Sequence, residues 1–341
     1  MAAVPIPHQA MIRTDWELID LLTGYQPAAV ITTAHRIGLF GALRPTPRSG
    51  EELAGELDLD HSNLVALLKA LVGLGLVEKT GTGYAATPYT QKRLGSEGDM
   101  GLVVAKEAVF ASAWARLGEV MVTGRPVMET WSVMLETHPE QARAFLEALD
   151  VLARIGGPRV EELDIFQPGL KVLDVGGGLG TYARRMAQAG AAVTLVDYPK
   201  VAAWAEEELS GSGVQVIGVD LFDHPSCGVA PDSMDLALVS HLVHDLTEAR
   251  AVDLLGRVWR SLIPGGQVVV NDFAGESGPG AFGPLFDLMM RVETGGAAHS
   301  HKTLESMLAH AGFVEPVRMP YEDPLTVYVA IRPGNSEDVA S

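Results

Sequence analysis

Residues 171–180, Lys-Val-Leu-Asp-Val-Gly-Gly-Gly-Leu-Gly, constrain this chain more than any other stretch. An apolar run ending in an acid and then alternating glycines predicts a buried strand that turns sharply into a helix. Gly176, Gly178 and Gly180 allow backbone angles and close approaches that a side chain forbids. Such a loop cradles a nucleotide-type cofactor. A dinucleotide fingerprint, G-x-G-x-x-G, would need its last glycine at position 181, where Thr181 stands, and this argues against a pyrophosphate. Asp174, at the strand's carboxyl end, suits a ligand that carries an ammonium group. The next strand, Ala192 to Val196, ends in Asp197, about twenty residues beyond the first glycine, where an acid accepts hydrogen bonds from ribose hydroxyls. A ribose and a cation together point to S-adenosylmethionine.

The chain has 341 residues, enough for a large α/β domain and a smaller companion. Its 25 Lys plus Arg against 43 Asp plus Glu give a net charge of −18, which opposes nonspecific binding to nucleic acid or to an anionic membrane. A small-molecule substrate fits better. The single cysteine, Cys227, rules out an internal disulfide framework. The opening Met-Ala-Ala-Val-Pro-Ile-Pro lacks the basic, apolar and cleavage-site succession of a secretory signal. No apolar run reaches the eighteen or so residues of a membrane span, so a cytoplasmic location is expected.

Three segments are expected: a winged-helix dimerisation domain over 1–100, a helical linker with pocket helices over 101–165, and a cofactor-binding domain over 166–341. From Asp15 to Leu43 apolar residues recur at helical spacing around a break at Gly24 and Pro27, predicting two helices with one wide apolar face that meets a partner. Ser49-Gly-Glu-Glu reads as a helix start, and Asp60 or Ser62 caps the helix that follows. Val77 to Thr80 and Gly83 to Ala86 read as a short hairpin, the wing of a winged helix. Such a module often binds DNA, but the segment from Ser62 to Val72 offers Lys69 as its only basic residue, and groove binding needs several. A dimerisation scaffold is the better reading, with a DNA-binding regulator as its rival.

Beyond Gly169 strands and helices alternate. Strands are expected near 171–175, 192–196, 214–219, 236–239 and 267–271, with helices near 181–189, 201–209 and 244–262. This pattern predicts an α/β fold with a doubly wound parallel sheet that binds its ligand at the strands' carboxyl ends. Two last β-rich runs, 314–319 and 326–331, predict an antiparallel hairpin at the sheet edge.

Taken together, these stretches resemble the bacterial and plant small-molecule methyltransferases with an N-terminal winged-helix dimerisation domain. The resemblance rests on Asp174 to Gly180, Val-Asp-Tyr-Pro at 196–199, Gly-Val-Asp-Leu-Phe at 218–222 and Leu-Val-His-Asp at 242–245. Pro-Gly-Gly at 264–266, Thr-Gly-Gly at 294–296 and Ala-Gly-Phe at 311–313 complete it. It implies a seven-stranded, Rossmann-like methyltransferase domain and a homodimer interlocked through the N-terminal helices. It places Gly176 against the methionine part of the cofactor, Asp197 on the ribose, and Asp220 and Leu221 beside the adenine, with Asp174 and Gly178 also binding the cofactor. His244 falls where the O-methyltransferases of this family keep their general base. The family's His-Asp-Trp is here His244-Asp245-Leu246. Ser240, counted in the cofactor set, replaces the usual Lys or Arg, and Thr-Gly-Gly is followed by Ala297-Ala-His299-Ser-His301.

Those departures open a second chemistry. A histidine of pKa about 6.5 can deprotonate a phenol of pKa about 10 at a cost of ~5 kcal/mol, so His244 alone suffices for oxygen. A carbon beside a ketone leaves a gap of ~10 kcal/mol or more, which a bound metal could close. His244, Asp245, His299 and His301 are the residue types of a two-histidine, one-carboxylate site. His244, Asp245 and His299, or His301 in place of one, are therefore expected to hold a divalent zinc or iron that chelates a 2-oxo acid for methylation at C3, with catalysis through His244 and Asp245. The 2-oxo-acid C-methyltransferases, a bacterial branch similar to this family, work in that way. O-methylation of a phenol by His244 alone is the alternative, and a cofactor-binding protein without activity a third. Arg116, Arg125 and Arg291 are cations that could pair with a substrate carboxylate.

Overall fold

A computed structural model describes residues 12–81, 83–278, 280–321 and 324–334. The N-terminal heptapeptide read above for targeting lies outside the described residues, as do Glu322 and Asp323 between the two last β-rich runs. The described chain forms two compact units, one built from 12–112 with 147–152, the other from 113–146 with 153–334.

In the first unit, helices Asp15–Thr23 and Tyr25–Arg36 are followed by a short helical turn, Leu39–Ala42. Pro27 does not break the second helix, because it sits in the first turn, where backbone N–H groups have no intrahelical acceptor and a proline costs little. Ser49 caps Gly50–Leu57 in a reciprocal capping box with Glu52, and Asp60 caps His61–Gly73 by accepting from the Asn63 amide at 2.8 Å. Strands β1 (Arg48–Ser49), β2 (Val77–Thr80) and β3 (Gly83–Ala86) form a small antiparallel sheet in the order β1-β3-β2, the wing. Leu39, Phe40, Leu53, Leu64, Leu68, Leu71 and Val77 close the core beneath it. The helix Asp15–Thr23 buries none of its residues.

The second unit carries a seven-stranded sheet. Its strands are β4 (Lys171–Val175), β5 (Ala192–Asp197), β6 (Gln215–Gly218), β7 (Met234–Ser240), β8 (Leu262–Asp272), β9 (Val314–Arg318) and β10 (Thr326–Ile331), in the order β6-β5-β4-β7-β8-β10-β9. The strands β4 to β8 pair in parallel, and β10 pairs antiparallel with both β8 and β9. Both faces are apolar because helices cover both. Leu173 and Val175 pack with helices Glu248–Ser261 and His301–His310, while Val172 packs on the other side with Tyr182, Ala183 and Met186 of helix Thr181–Gln188. From β4 the chain winds outward to β5 and β6, then returns to add β7 and β8 on the opposite side. That reversal opens a crevice at the carboxyl ends of β4 and β7, where ligands of doubly wound sheets bind.

Candidate active site

The glycine loop leaves β4 at this crevice. Gly176, Gly178 and Gly180 have φ of +67°, +55° and +86°, in the left-handed region that favours residues without a Cβ. Space is equally tight, since a Cβ on Gly176 would lie 2.9 Å from Leu242 Cδ2, and one on Gly177 2.7 Å from Leu195 Cδ1 and 2.9 Å from Asp174 Cγ. Asp197, at the end of β5, holds the loop by accepting from the Gly178 amide at 2.9 Å and the Tyr198 amide at 2.7 Å.

Asp174 is buried, and its Oδ2 has no hydrogen-bond partner among the described residues. Burial and the neighbouring Asp197 push its carboxyl up to about 7. Burial likewise raises Asp197 to about 6, against the two backbone amides. Two buried carboxyl groups side by side fit a ligand that brings an ammonium group and a pair of hydroxyls, so the residues present suit S-adenosylmethionine. Asp220 and Leu221 are half-buried beyond β6, where Asp220 Oδ1 accepts from the Phe222 amide at 2.9 Å. Ser240 ends β7, and its Oγ accepts from Asn271 Nδ2 at 2.8 Å.

His244 lies on a short 3-10 turn, Val243–Asp245, rather than at the start of the following helix, which begins at Glu248. Its Nδ1 is 2.5 Å from Asp272 Oδ1, and its backbone amide donates to Asp272 Oδ2 at 3.1 Å. Asp245 Oδ1 stands 3.7 Å from Nε2. Burial alone would lower the imidazole pKa, but the charges of Asp272 and Asp245, the hydrogen bond the ring donates to Asp272 and the more distant Glu293 outweigh it and raise the ring to about 9. Asp272 answers with a carboxyl held below its ordinary value: burial pushes upward, and the His244 charge and hydrogen bond pull it down further. Asp245 shifts the other way, raised chiefly by burial against the pull of His244, so Asp272 is the stronger partner.

Asp272 was missed by the sequence reading. Its signal was faint, an acid closing the apolar run Val268-Val-Val-Asn-Asp, and the same signal had been used for Asp174 and Asp197. Aromatic rings close the other side, with Phe286 edge-on to His244 at 5.1 Å and 4.9 Å from Phe273, which also packs on His241 at 4.8 Å.

The expected metal set does not assemble. His299 Nε2 lies 3.2 Å from the Val243 carbonyl oxygen and 3.1 Å from that of Leu246, so its N–H donates to the turn that carries His244. His301 begins the helix His301–His310, takes a hydrogen bond from Arg318 at 2.9 Å through Nε2, and borders a separate cavity of about 210 Å³ with Ser277, Tyr321 and Thr326. Among the described residues, the one trio of potential ligands within 4.8 Å of one another is His241, His244 and Asp272, which omits Asp245, His299 and His301. The physical reason lies in Thr294-Gly-Gly: Ala297 donates its amide to the His244 carbonyl at 2.9 Å, and this register turns His299 to the backbone and carries His301 past the site. Of the three cations, Arg116 is spent on Glu119 and the Val127 carbonyl, and Arg291 on Asp287.

Residues 114–314 match the model of the O-methyltransferase domain, and residues 19–96 that of the O-methyltransferase dimerisation domain. The chain belongs to the O-methyltransferase family. It is an S-adenosylmethionine-dependent methyltransferase. This methyltransferase is 28% identical over 334 residues to the O-demethylpuromycin-O-methyltransferase of Streptomyces alboniger, covering 91% of this chain and 87% of the relative. It is 27% identical over 312 residues to the phenazine-1-carboxylate N-methyltransferase of Pseudomonas aeruginosa, covering 87% and 91%. Its fold matches human N-acetylserotonin methyltransferase in complex with SAM at a TM-score of 0.81 and 22% identity, over 96% of this chain and 99% of that one. It matches LaPhzM at 0.83 and 24% identity, over 94% and 100%. Since relatives methylate oxygen in one case and nitrogen in another, membership alone leaves the acceptor atom open. Among the described residues no helix is long and apolar enough to cross a membrane.

Proposed function

We propose that this methyltransferase transfers a methyl group to a hydroxyl of a small aromatic metabolite, with His244 as general base, and that it works as a homodimer. The observation that carries the reading is the buried His244–Asp272 pair at 2.5 Å. It fixes Nδ1 as the nitrogen facing the carboxylate and leaves Nε2 for the acceptor, the arrangement of an oriented base. The names of relatives such as the mitomycin biosynthesis 6-O-methyltransferase of Streptomyces lavendulae support an oxygen acceptor of this size.

S-adenosylmethionine, when bound, supplies a methyl group on a positively charged sulfur, open to in-line attack. The chain's residues do the rest. Asp174 would receive the ammonium group, the glycine loop the methionine part and Asp197 the ribose, with Asp220, Leu221 and Ser240 along the adenine and methionine edge. His244 Nε2 would take the acceptor's hydroxyl proton as the carbon–oxygen bond forms, and the imidazolium produced lies between Asp272 and Asp245. A base at about 9 meets a phenol at about 10 with a deficit of ~1.4 kcal/mol, against ~5 for an unperturbed histidine. The advantage is offset at neutral pH, where most of the free enzyme holds His244 protonated.

Metal-assisted methylation of a 2-oxo acid gains no support. Of the four residues expected to chelate it, His299 and His301 are turned to other partners, and Arg116 and Arg291 are engaged elsewhere. The homodimer is supported by the match to the dimerisation domain and by the uncovered helix Asp15–Thr23.

The test is a panel of hydroxylated aromatics with chelator-dialysed enzyme. Methyl transfer should persist without metal, and His244→Gln should lower kcat about 10²–10⁴-fold while S-adenosylhomocysteine still binds. Loss of activity on chelation, restored by zinc or iron, would overturn the reading.

A further inference from the structure

His241 stands beside the base with no part in the chemistry so far. It directly follows β7 with φ of +51°, a left-handed conformation that costs about 1–2 kcal/mol for a residue with a Cβ. Its neighbours hold it there. The His241 amide donates to the Asn271 carbonyl at 2.8 Å, and the Asn271 side chain, fully buried, places Nδ2 3.1 Å from His241 Nε2 and 2.8 Å from Ser240 Oγ. With one amide hydrogen spent on each, His241 Nε2 is an acceptor, so the ring proton sits on Nδ1. That N–H has no partner among the described residues.

The ring is neutral as well as fixed. Burial lowers its pKa to about 4, overriding the opposite pull of Asp272, and nearby His244 adds to the depression. Phe273 packs against the ring at 4.8 Å, and the His244 ring lies 6.1 Å away at 56°. A ring nitrogen of His241, one of His244 and a carboxylate oxygen of Asp272 fall within 4.8 Å of one another. Two ring nitrogens, one on each histidine, thus lie close enough to meet two oxygens of one small molecule.

We infer that His241 is a specificity-determining residue whose Nδ1–H binds a carbonyl oxygen adjacent to the hydroxyl being methylated, so that the acceptors are aromatics with hydroxyl and carbonyl in an ortho or peri relation. This inference rests on the base role given to His244 above. In such an acceptor the hydroxyl hydrogen is tied to the neighbouring carbonyl across about 2.5–3.0 Å, and that bond must break before the proton can leave. His241 replaces it at the carbonyl, the proton passes to His244 Nε2, and the freed oxygen pair forms the bond to the methyl carbon as the carbon–sulfur bond breaks. A cationic donor here would weaken the neighbouring base, whereas a neutral one does not. An acceptor lacking the carbonyl would leave the donor buried and unpaired, which is where discrimination arises.

The experiment compares 1-hydroxyanthraquinone with its 2-hydroxy isomer, in which the carbonyl is remote from the hydroxyl. Affinities are read by absorbance with S-adenosylhomocysteine bound, and folding is checked by circular dichroism. The wild type should bind the 1-isomer about tenfold more tightly. His241→Phe should bring the ratio to about one. His241→Asn tolerates the left-handed backbone and puts an amide nitrogen where Nδ1 sits, so it should restore the preference, and His241→Gln should not. Equal affinity in the wild type, binding of neither isomer, or a ratio unchanged in a folded His241→Phe would overturn the inference. An error in the base assignment reads differently: His244→Gln would keep turning over while the wild-type ratio stood.

Discussion

At the scale of single residues, the site is governed by which buried charges have partners. His244 has two carboxylates and is held protonated until about pH 9. The acid limb of kcat/KM should therefore rise with pH up to about 9. In Asp272→Asn the strongest raising influence is gone and burial remains, so the limb should move to lower pH while the maximal rate falls through lost orientation. A limb unmoved by the substitution would show that another group controls the rate.

Asp174 is the converse, a carboxyl at about 7 with an orphaned oxygen. Its folded pKa lies above its unfolded one, so without ligand it favours the fold below about pH 4 and this contribution is lost as pH rises through about 7. An ammonium group brought beside it must then expel a proton. Calorimetry of S-adenosylhomocysteine binding in buffers of different ionisation enthalpy should detect proton release near pH 6.5 and none near 8.5, and Asp174→Asn should abolish the release.

At the scale of elements, the base is positioned by contacts from the loop 294–299. The turn Val243–Asp245 is closed by the Leu246 amide, which donates to the Val243 carbonyl at 3.1 Å. It is also held from 294–299, through the Ala297 amide on the His244 carbonyl and the His299 ring on the carbonyls of Val243 and Leu246. Gly296 is where the two backbones meet, since a Cβ there would lie 2.0 Å from the His244 carbonyl oxygen and 3.0 Å from Asp245 Cα. Gly296→Ala should push the turn away from Asp272. The expected outcome is a fall in kcat of at least about tenfold, the order that follows a misplacement of about 1 Å, with S-adenosylhomocysteine affinity nearly unchanged. Isothermal binding and turnover on one preparation would check it.

At the scale of the whole molecule, the first unit leaves its first helix uncovered. Helix Asp15–Thr23 has nine residues and buries none, with Trp16 75% and Leu22 65% exposed. An isolated helix of that length is marginal in water, so its apolar side needs a cover, and a second copy of the chain is the proposed one. Trp16→Glu with Leu22→Glu should shift the protein from dimer to monomer in light scattering. A dimer that survives both changes would place the interface elsewhere.

Much of this was legible in the sequence because it rests on local rules. The alternation of apolar strands and helices forces a doubly wound sheet, and the sheet's reversal puts the glycine loop at its crevice, as Asp174, Gly176 and Asp197 suggested. The wing was written in the Gly-Thr-Gly between two short β-prone runs. His244 was singled out because the Leu-Val-His-Asp stretch resembles the family's. What tertiary structure alone decided was which groups meet His244. The sequence offered two pairs of ligand-type side chains far apart in the chain, His244 with Asp245 and His299 with His301, but hydrogen bonding spent His299 on backbone carbonyls and sent His301 to Arg318. Asp272, 28 residues along the chain, arrived at 2.5 Å because β8 lies beside β7. Periodicity and glycine placement fix strands and turns through forces acting within a few residues. Which charge faces which is set by register between strands, and that is settled only when the sheet is formed.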